Sequence, residues 1–303
     1  MNNNVVLGLW PIAGITTVGV TRDAARKTIA AAIESGIGQF DTAFGYGYDG
    51  ESDRVLGEFV ASRQDDFRVI GKVGQRWTAD RKRISDGSPA QLTADAEESL
   101  RRIGIDCFDT LLLHTPDPNT PLTESATALV KLQERGLCKR VGACNISIDQ
   151  LEQFAQVTKC TATQCSLNIL QQDALEETIP AFADHGAEVH IFWALMKGLL
   201  AGKITRDHTF PEGDVRPKYE VYQGESREQA HRLLDFMRVL GDQTGKTIPQ
   251  LSIGWVLSQP GVTGVLAGAR YPEQIIETAK SEPLAENVLK QLDDFLESDR
   301  MEA

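Results

Sequence analysis

Ala25-Arg26-Lys27-Thr28-Ile29-Ala30-Ala31-Ala32-Ile33-Glu34-Ser35-Gly36-Ile37-Gly38-Gln39-Phe40-Asp41 holds two different periods side by side. Ala25, Ile29, Ala32 and Ile33 recur at helical spacing and define one apolar face, which Gly36 closes at a C-cap position. Ile37 to Asp41 then reads as a short extended piece that stops on a carboxylate. A helix closed by glycine and followed by a buried strand is half of a β–α unit. The rest of the fold follows from how often that unit recurs.

Working outward, it recurs along nearly the whole chain. Val5-Val6-Leu7 precedes it as a first strand, and a helix carrying Val55, Leu56, Phe59 and Val60 follows it. Arg68 to Lys72, Phe108 to Leu113, Arg140 to Cys144, Ala162 to Cys165, Glu188 to Phe192 and Thr263 to Ala267 read as further strands. Phe108 to Leu113 is almost continuously apolar, as a parallel strand covered on both faces must be. Ser88-Pro89-Ala90-Gln91 and Ser147-Ile148-Asp149-Gln150 have the form of capping boxes, the first opening a helix with Leu92, Ala96, Leu100 and Ile103 on one face. Helices are also expected around Leu129 to Gly136, Leu175 to His185 and Ala230 to Leu257. Eight strands, each followed by a helix, imply a parallel sheet with right-handed crossovers. An open doubly wound sheet would announce itself with GxGxxG after its first strand, and that motif is missing. The expected fold is a (β/α)₈ TIM barrel forming a single domain over residues 1–303. Lys203 to Ser226, with Pro211 and Pro217, breaks the rhythm; a loop that long in a compact domain is usually functional.

Bulk properties narrow the function. Hydrophobic residues at 41% and charged residues at 24% fit an ordinary folded chain with a large core. A net charge of −12 makes nucleic acid an unfavourable general partner. Five cysteines without CxxC spacing suit reduced thiols, so the expected compartment is cytoplasmic. Met1 to Asn4 carry no leader pattern, and no apolar run is long enough to span a membrane. No cluster has metal-ligand spacing, so the expected chemistry is metal-independent.

A barrel of this type places its chemistry at the C-terminal ends of its strands. Those ends read Asp41, Lys72, His114, Asn145, Gln164, Phe192 and Arg270 in order. Each has a bland explanation singly, as a turn residue, a solvated cation or a core side chain. Their joint position on one face of one barrel carries the argument.

The blocks around them resemble the aldo-keto reductases. Phe40 to Gly47 with Glu51-Ser52-Asp53-Arg54-Val55-Leu56-Gly57 is similar to that family's signature. Gly71 to Gly74, Leu111 to Asp117 and Val141 to Asn145 resemble its next three blocks in order, and Gly198 to Lys203 and Leu266 to Arg270 its last two. The resemblance implies Tyr46 as general acid and base, Lys72 as the cation that lowers its pKa, Asp41 as the partner of Lys72, and His114 as the group orienting the substrate oxygen. For the coenzyme it implies Asn145 and Gln164 on the nicotinamide carboxamide and Phe192 stacked on its ring. Leu195, Lys203, Arg270 and Gln274 complete the expected coenzyme site.

Some positions depart from the family pattern. Cys144 stands for the usual Ser beside Asn145, Trp193 for a small polar residue, and Gly268 and Gln274 for Lys and Arg near the adenosine 2′-phosphate. The expected activity is therefore NADP(H)-dependent transfer of a hydride between nicotinamide and an aldehyde, ketone or sugar, with NAD also possible. The expected partner is a small molecule, and the assembly a monomer or small homo-oligomer. Trp10, Phe44 and Trp77 fall near the expected mouth and are read either as an apolar wall for the substrate or as packing. The rival function is a coenzyme-binding regulatory barrel like the potassium-channel β subunits, with little turnover. A Schiff-base lyase built on Lys72 would leave Tyr46, Asn145 and Gln164 without roles.

Overall fold

A computed structural model describes residues 4–14, 17 and 19–302. Met1 to Asn3 of the N-terminal reading lie outside the described residues. In chain order the elements are β1 (Val5–Gly8), α1 (Arg22–Glu34), β2 (Gln39–Asp41), α2 (Glu51–Val60), β3 (Arg68–Val73), β4 (Gln75–Trp77) and β5 (Arg83–Ser85). There follow α3 (Pro89–Ile103), β6 (Thr110–Leu113), α4 (Leu122–Glu134), β7 (Val141–Ala143), α5 (Ile148–Ala155), β8 (Ala162–Ser166), α6 (Thr178–Asp184) and β9 (Glu188–Phe192). The chain ends with α7 (Gly224–Thr244), α8 (Ile248–Leu257), β10 (Gly264–Gly268), α9 (Pro272–Thr278) and α10 (Glu286–Glu302).

The eight long-range strands run in the order β7-β6-β3-β2-β1-β10-β9-β8, and all their pairings are parallel. This is the (β/α)₈ barrel. Among the described residues no strand ladder joins β7 to β8. The joint is closed by the Thr161 N–H and hydroxyl donating to Val141 O at 2.9 and 2.7 Å, and by the Thr163 hydroxyl donating to Ala143 O at 2.8 Å. Close approach there requires Gly142, because a Cβ at that position would lie 2.0 Å from Ala162 O.

Two apolar layers result. The large one lies between the strands and the helices and includes Phe40, Phe108, Phe154 and Trp255. The small one, Val6, Ile70, Leu112, Cys144 and Ala162 with Leu266 against it, comes from β1, β3, β6, the end of β7, β8 and β10 and plugs the barrel interior. Cys144 thus belongs to the plug, buried, with its thiol pKa pushed well up by desolvation. Its side chain faces the interior because it continues the alternation of β7.

Local chemistry matches the element ends with one exception. Thr21 caps α1 by accepting from the Ala24 N–H at 3.2 Å, and Ser147 and Gln150 form the expected reciprocal box on α5. At Ser88 no capping bond forms: its hydroxyl donates to Asp86 Oδ1 at 2.7 Å, and Gln91 Nε2 donates to Asp95 Oδ1 at 3.0 Å. Two nearby carboxylates outcompete the box. The span from Ala230 to Leu257 is two helices, broken at Gly245 with φ 71°. The β4–β5 hairpin, which carries no period, and α10, whose Val288, Leu289, Leu292, Phe295 and Leu296 do recur at helical spacing, were not among the expected elements. No helix among the described residues is long and apolar enough to cross a membrane.

Candidate active site

Register sets the floor of the site. Asp41 ends β2 opposite Gly8 and Ile70, and Lys72 sits in β3 opposite Leu112, so both side chains emerge just above the apolar plug. After Asp41 the chain turns tightly, with Phe44 N–H donating to Lys72 O and Tyr46 N–H to Ala43 O, each at 2.9 Å. Gly47 follows at φ 108°, where a side chain would collide with Glu51. That turn aims Tyr46 back over Lys72.

Lys72 Nζ donates to Asp41 Oδ1 at 2.5 Å and to Tyr46 Oη at 3.0 Å, and lies 4.6 Å from the centre of the Tyr46 ring. Gln164 Nε2, from β8, donates to Asp41 Oδ2 at 2.5 Å. Asp41, Lys72 and Gln164 are 1%, 2% and 3% exposed, so water contributes almost nothing to their solvation. Burial opposes the charge on Lys72, but Asp41, the Tyr46 phenol and Cys144 together outweigh it, and its pKa is raised above the ordinary lysine value. The ammonium is permanent.

Burial pushes the Tyr46 pKa up, Lys72 pulls it down and Asp41 pushes it up again. The net direction is upward, so the phenol keeps its proton at neutral pH. Lys72 thus lowers this pKa, as expected, and desolvation sets the net direction. His114, immediately beyond β6, has its pKa driven well down by desolvation and by the charges of Lys72 and Arg83, so its imidazole is neutral. Its Nδ1 is buried without a hydrogen-bond partner, and its ring stands 5.8 Å from that of Tyr46. Asn145, at φ 56°, donates from Nδ2 to His114 O at 2.8 Å.

Phe192 ends β9, Leu195 and Lys203 follow it, Arg270 follows β10 and Gln274 lies in α9. Phe192 packs edge-on against Trp193 at 5.4 Å. Trp193, Met196 and Lys197 have φ of 62°, 40° and 52°, a run of left-handed non-glycine residues that includes the stretch beside Leu195. Each such residue costs on the order of 1–3 kcal/mol unless its surroundings fix it. Here the long segment after it does so: Lys197 Nζ lies over the rings of Trp193 at 3.8 Å and Tyr219 at 4.3 Å, and the Tyr222 hydroxyl reaches Met196 O and Lys197 O at 3.3 Å. The Lys203–Ser226 loop is built from two short helical turns, Arg216–Lys218 and Glu220–Tyr222, before α7 begins at Gly224. Arg270 is half-buried, and its backbone N–H donates to Gln274 Oε1 at 2.8 Å, so Gln274 is occupied in holding the turn before α9. Lys203 is exposed and 3.8 Å from Glu277.

The sequence did not reveal two supports. One is a buried chain behind the Asp41–Gly47 turn: Asp53 accepts from Thr42 Oγ1 at 2.6 Å and from Ser99 Oγ, while Ser52 Oγ donates to Tyr46 O at 2.9 Å. The other is the β4–β5 hairpin, whose Trp77 Nε1 donates to Gly45 O at 2.9 Å and whose Arg76 pairs with buried Asp95. Of the three aromatic residues expected at the mouth, Trp10 lies 5.1 Å from Tyr46 and Trp77 lies 5.2 Å from Tyr48. Phe44 is held between the guanidinium groups of Arg102 and Arg76, at 4.7 and 5.3 Å.

Comparison with known proteins shows the family and the fold. The model of the Aldo/keto reductase family matches residues 4–297. The chain is 29% identical over 278 residues to Aldo-keto reductase YhdN of Bacillus subtilis (strain 168), covering 90% of this chain and 83% of that one. It is also 29% identical over 286 residues to the NADH-specific methylglyoxal reductase of Escherichia coli (strain K12), covering 89% and 87%. Among solved structures, the glycerol dehydrogenase AKR11B4 from Gluconobacter oxydans superposes with a TM-score of 0.90 at 32% identity, covering 97% of this chain and 91% of that chain.

Proposed function

The chain belongs to the aldo/keto reductase family, and from that premise we propose that it is an NADP(H)-dependent oxidoreductase interconverting small carbonyl compounds, aldehydes, ketones or sugars, and their alcohols. The observation that carries this reading is the buried line from Asp41 through Lys72 Nζ to Tyr46 Oη, with a neutral imidazole facing the same ring.

Reduction of a carbonyl places negative charge on its oxygen, which then needs a proton. Tyr46 holds that proton at neutral pH and gives it to the oxygen. The phenolate left behind gains its stabilisation from an ammonium 3.0 Å away that is already charged and already oriented. Asp41 fixes Lys72 and Gln164 fixes the second oxygen of Asp41, so little reorganises as the proton moves. His114, being neutral, donates a hydrogen bond to the substrate oxygen rather than competing as an acid. In the oxidative direction the same residues take up the proton.

A bound nicotinamide supplies or accepts the hydride. The side chains present suit it: with their nitrogens committed to Asp41 and to His114 O, Gln164 and Asn145 each offer a carbonyl oxygen to a carboxamide NH₂. Phe192 offers a ring face at the end of β9. Leu195 and the loop with Lys203 lie along the path toward Arg270. The preference for NADP(H) over NAD(H) rests on Arg270, whose side chain has no ion pair among the described residues and precedes the N-terminus of α9. Gln274 supports that turn. We place the activity in one barrel domain over residues 1–303, cytoplasmic, acting as a monomer or small homo-oligomer. The complete catalytic set favours turnover over a purely regulatory role.

The test is a panel of aldehydes, ketones and sugars with NADPH and NADH, followed by coenzyme absorbance in both directions. Turnover of at least one class, faster with NADPH, is expected. Absence of turnover across the panel, despite tight coenzyme binding, would sink the enzymatic reading in favour of the regulatory barrel.

A further inference from the structure

The β4–β5 hairpin carries four cations, Arg76, Arg81, Lys82 and Arg83, in a chain whose net charge is −12. Two are neutralised: Arg76 by Asp95, and Lys82 by Asp80 at 2.8 Å. Arg81 lies 4.6 Å over the outer ring of Tyr48. Arg83 is different. Its guanidinium stands 5.1 Å from the ring centre of Trp10 and 5.7 Å from that of Trp77, and among the described residues it makes no ion pair and no side-chain hydrogen bond.

Trp10 is itself 5.1 Å from Tyr46, so a single indole separates this guanidinium from the catalytic phenol. Its charge is felt there: Arg83 contributes to the lowering of the His114 pKa and interacts with Tyr46. Two indoles hold the planar group by cation–π contact and leave its N–H edge open. The hairpin that carries it is rooted away from Phe192 and Arg270, and the guanidinium itself lies against Trp10, just past β1. The hairpin follows β3, whereas Phe192 and Arg270 follow β9 and β10, with β1 and β2 lying between β3 and β10 in the sheet.

We propose that Arg83 is the receptor for an anionic group on the substrate, a carboxylate or phosphate borne a short chain away from the carbonyl carbon that Tyr46 and His114 address. This deepens the oxidoreductase reading and rests on it for the identity of the carbonyl end. A guanidinium fork matches two oxygens of such a group, and the hairpin is braced for the purpose by Trp77 on Gly45 O and Arg76 on Asp95.

The test uses the full chain with saturating coenzyme and two aldehyde pairs that differ by one charged group. These are succinic semialdehyde against its methyl ester, and glyceraldehyde 3-phosphate against glyceraldehyde. The charged member of at least one pair should have the higher kcat/KM by roughly ten- to a hundredfold, the pair that responds distinguishing carboxylate from phosphate. Arg83→Gln should bring that ratio near one, chiefly through KM, and Arg83→Lys should keep part of it. Calorimetric titration with succinate and with inorganic phosphate reads the same site without turnover, and Arg83→Gln should weaken the preferred anion about tenfold or more. A charge preference that survives Arg83→Gln, or anion binding that the substitution leaves unchanged, overturns the proposal. If no aldehyde turns over while Arg83→Gln abolishes anion binding, the hydride-transfer reading fails and the anion site stands.

Discussion

The floor of the candidate site and the rim that follows β9 are built on opposite terms. On the floor, Asp41, Lys72 and Gln164 are almost fully buried, mutually bonded and set by strand register. On the rim, Trp193, Met196 and Lys197 hold left-handed backbone that the overlying Tyr219–Tyr222 stretch helps to fix. The floor is rigid because breaking any one bond would strand a buried polar group. The rim is ordered by contacts that can be exchanged, which is what a segment that admits and releases a large cofactor requires.

The hardest blow to the floor is Tyr46→Phe. The ring and its contact with Trp10 remain, but the proton is gone. Turnover should fall by a hundredfold or more in kcat, with coenzyme affinity and melting temperature nearly unchanged. Retention of more than about a tenth of kcat would remove Tyr46 from the role.

Lys72→Met attacks both activity and fold, because it leaves the Asp41 carboxylate buried without its cation. Denaturant titration should show a loss of about 3–5 kcal/mol. Adding Asp41→Asn to that variant should restore much of the stability and none of the activity. Additive losses would mean the two side chains are not energetically coupled.

At the rim, Arg270→Ala should weaken NADPH roughly ten- to a hundredfold more than NADH, the worth of one charge-assisted phosphate contact. Equal losses for both coenzymes would assign Arg270 to holding the loop. Hydrogen exchange over residues 203–223 should slow on addition of NADPH while β2 and β3 stay unchanged; protection equal in both states would erase the contrast drawn here.

The smallest effect concerns the chain behind the floor. Burial raises the Asp53 pKa to about 6 against the lowering influence of Ser99 and Thr42. A carboxyl whose folded pKa lies above its unfolded value retains its proton in the native state between the two. Stability therefore falls as pH rises from about 4 to 6 and levels off above. Asp53→Asn lacks that fall, so its stability relative to the parent should improve by about 2–3 kcal/mol between pH 4 and pH 7. A difference that does not vary with pH would show the carboxyl to be ionised throughout.

What could be read from the chain follows the same division. Asp41, Lys72, His114 and Gln164 were legible because each ends or interrupts an apolar strand, and a parallel barrel leaves no freedom in which end such residues occupy. The barrel itself was legible from the alternation of periods, for the same reason. The β4–β5 hairpin was not, since Gln75 to Ser85 is polar, carries no period, and is held by Asp95 on the helix that follows it. The failed box at Ser88 turned on Asp86 and Asp95, carboxylates close in sequence whose competition the box pattern does not register, and the inward side chain of Cys144 followed from the alternation of β7. Trp193 as a departure from the family pattern did point to the rim, but only the backbone angles show why that stretch is unusual.

The unladdered joint between β7 and β8 has a mechanical consequence. Of the barrel's eight joints it is the one fastened mainly by threonine hydroxyls, and it separates Asn145, just past β7, from Gln164, within β8. On the proposed reading, a carboxamide gripped by both side chains spans that gap like a clasp across a split hoop. The coenzyme would then tie the barrel shut where it is weakest, and its release would loosen the hoop before the rest of the wall gives way.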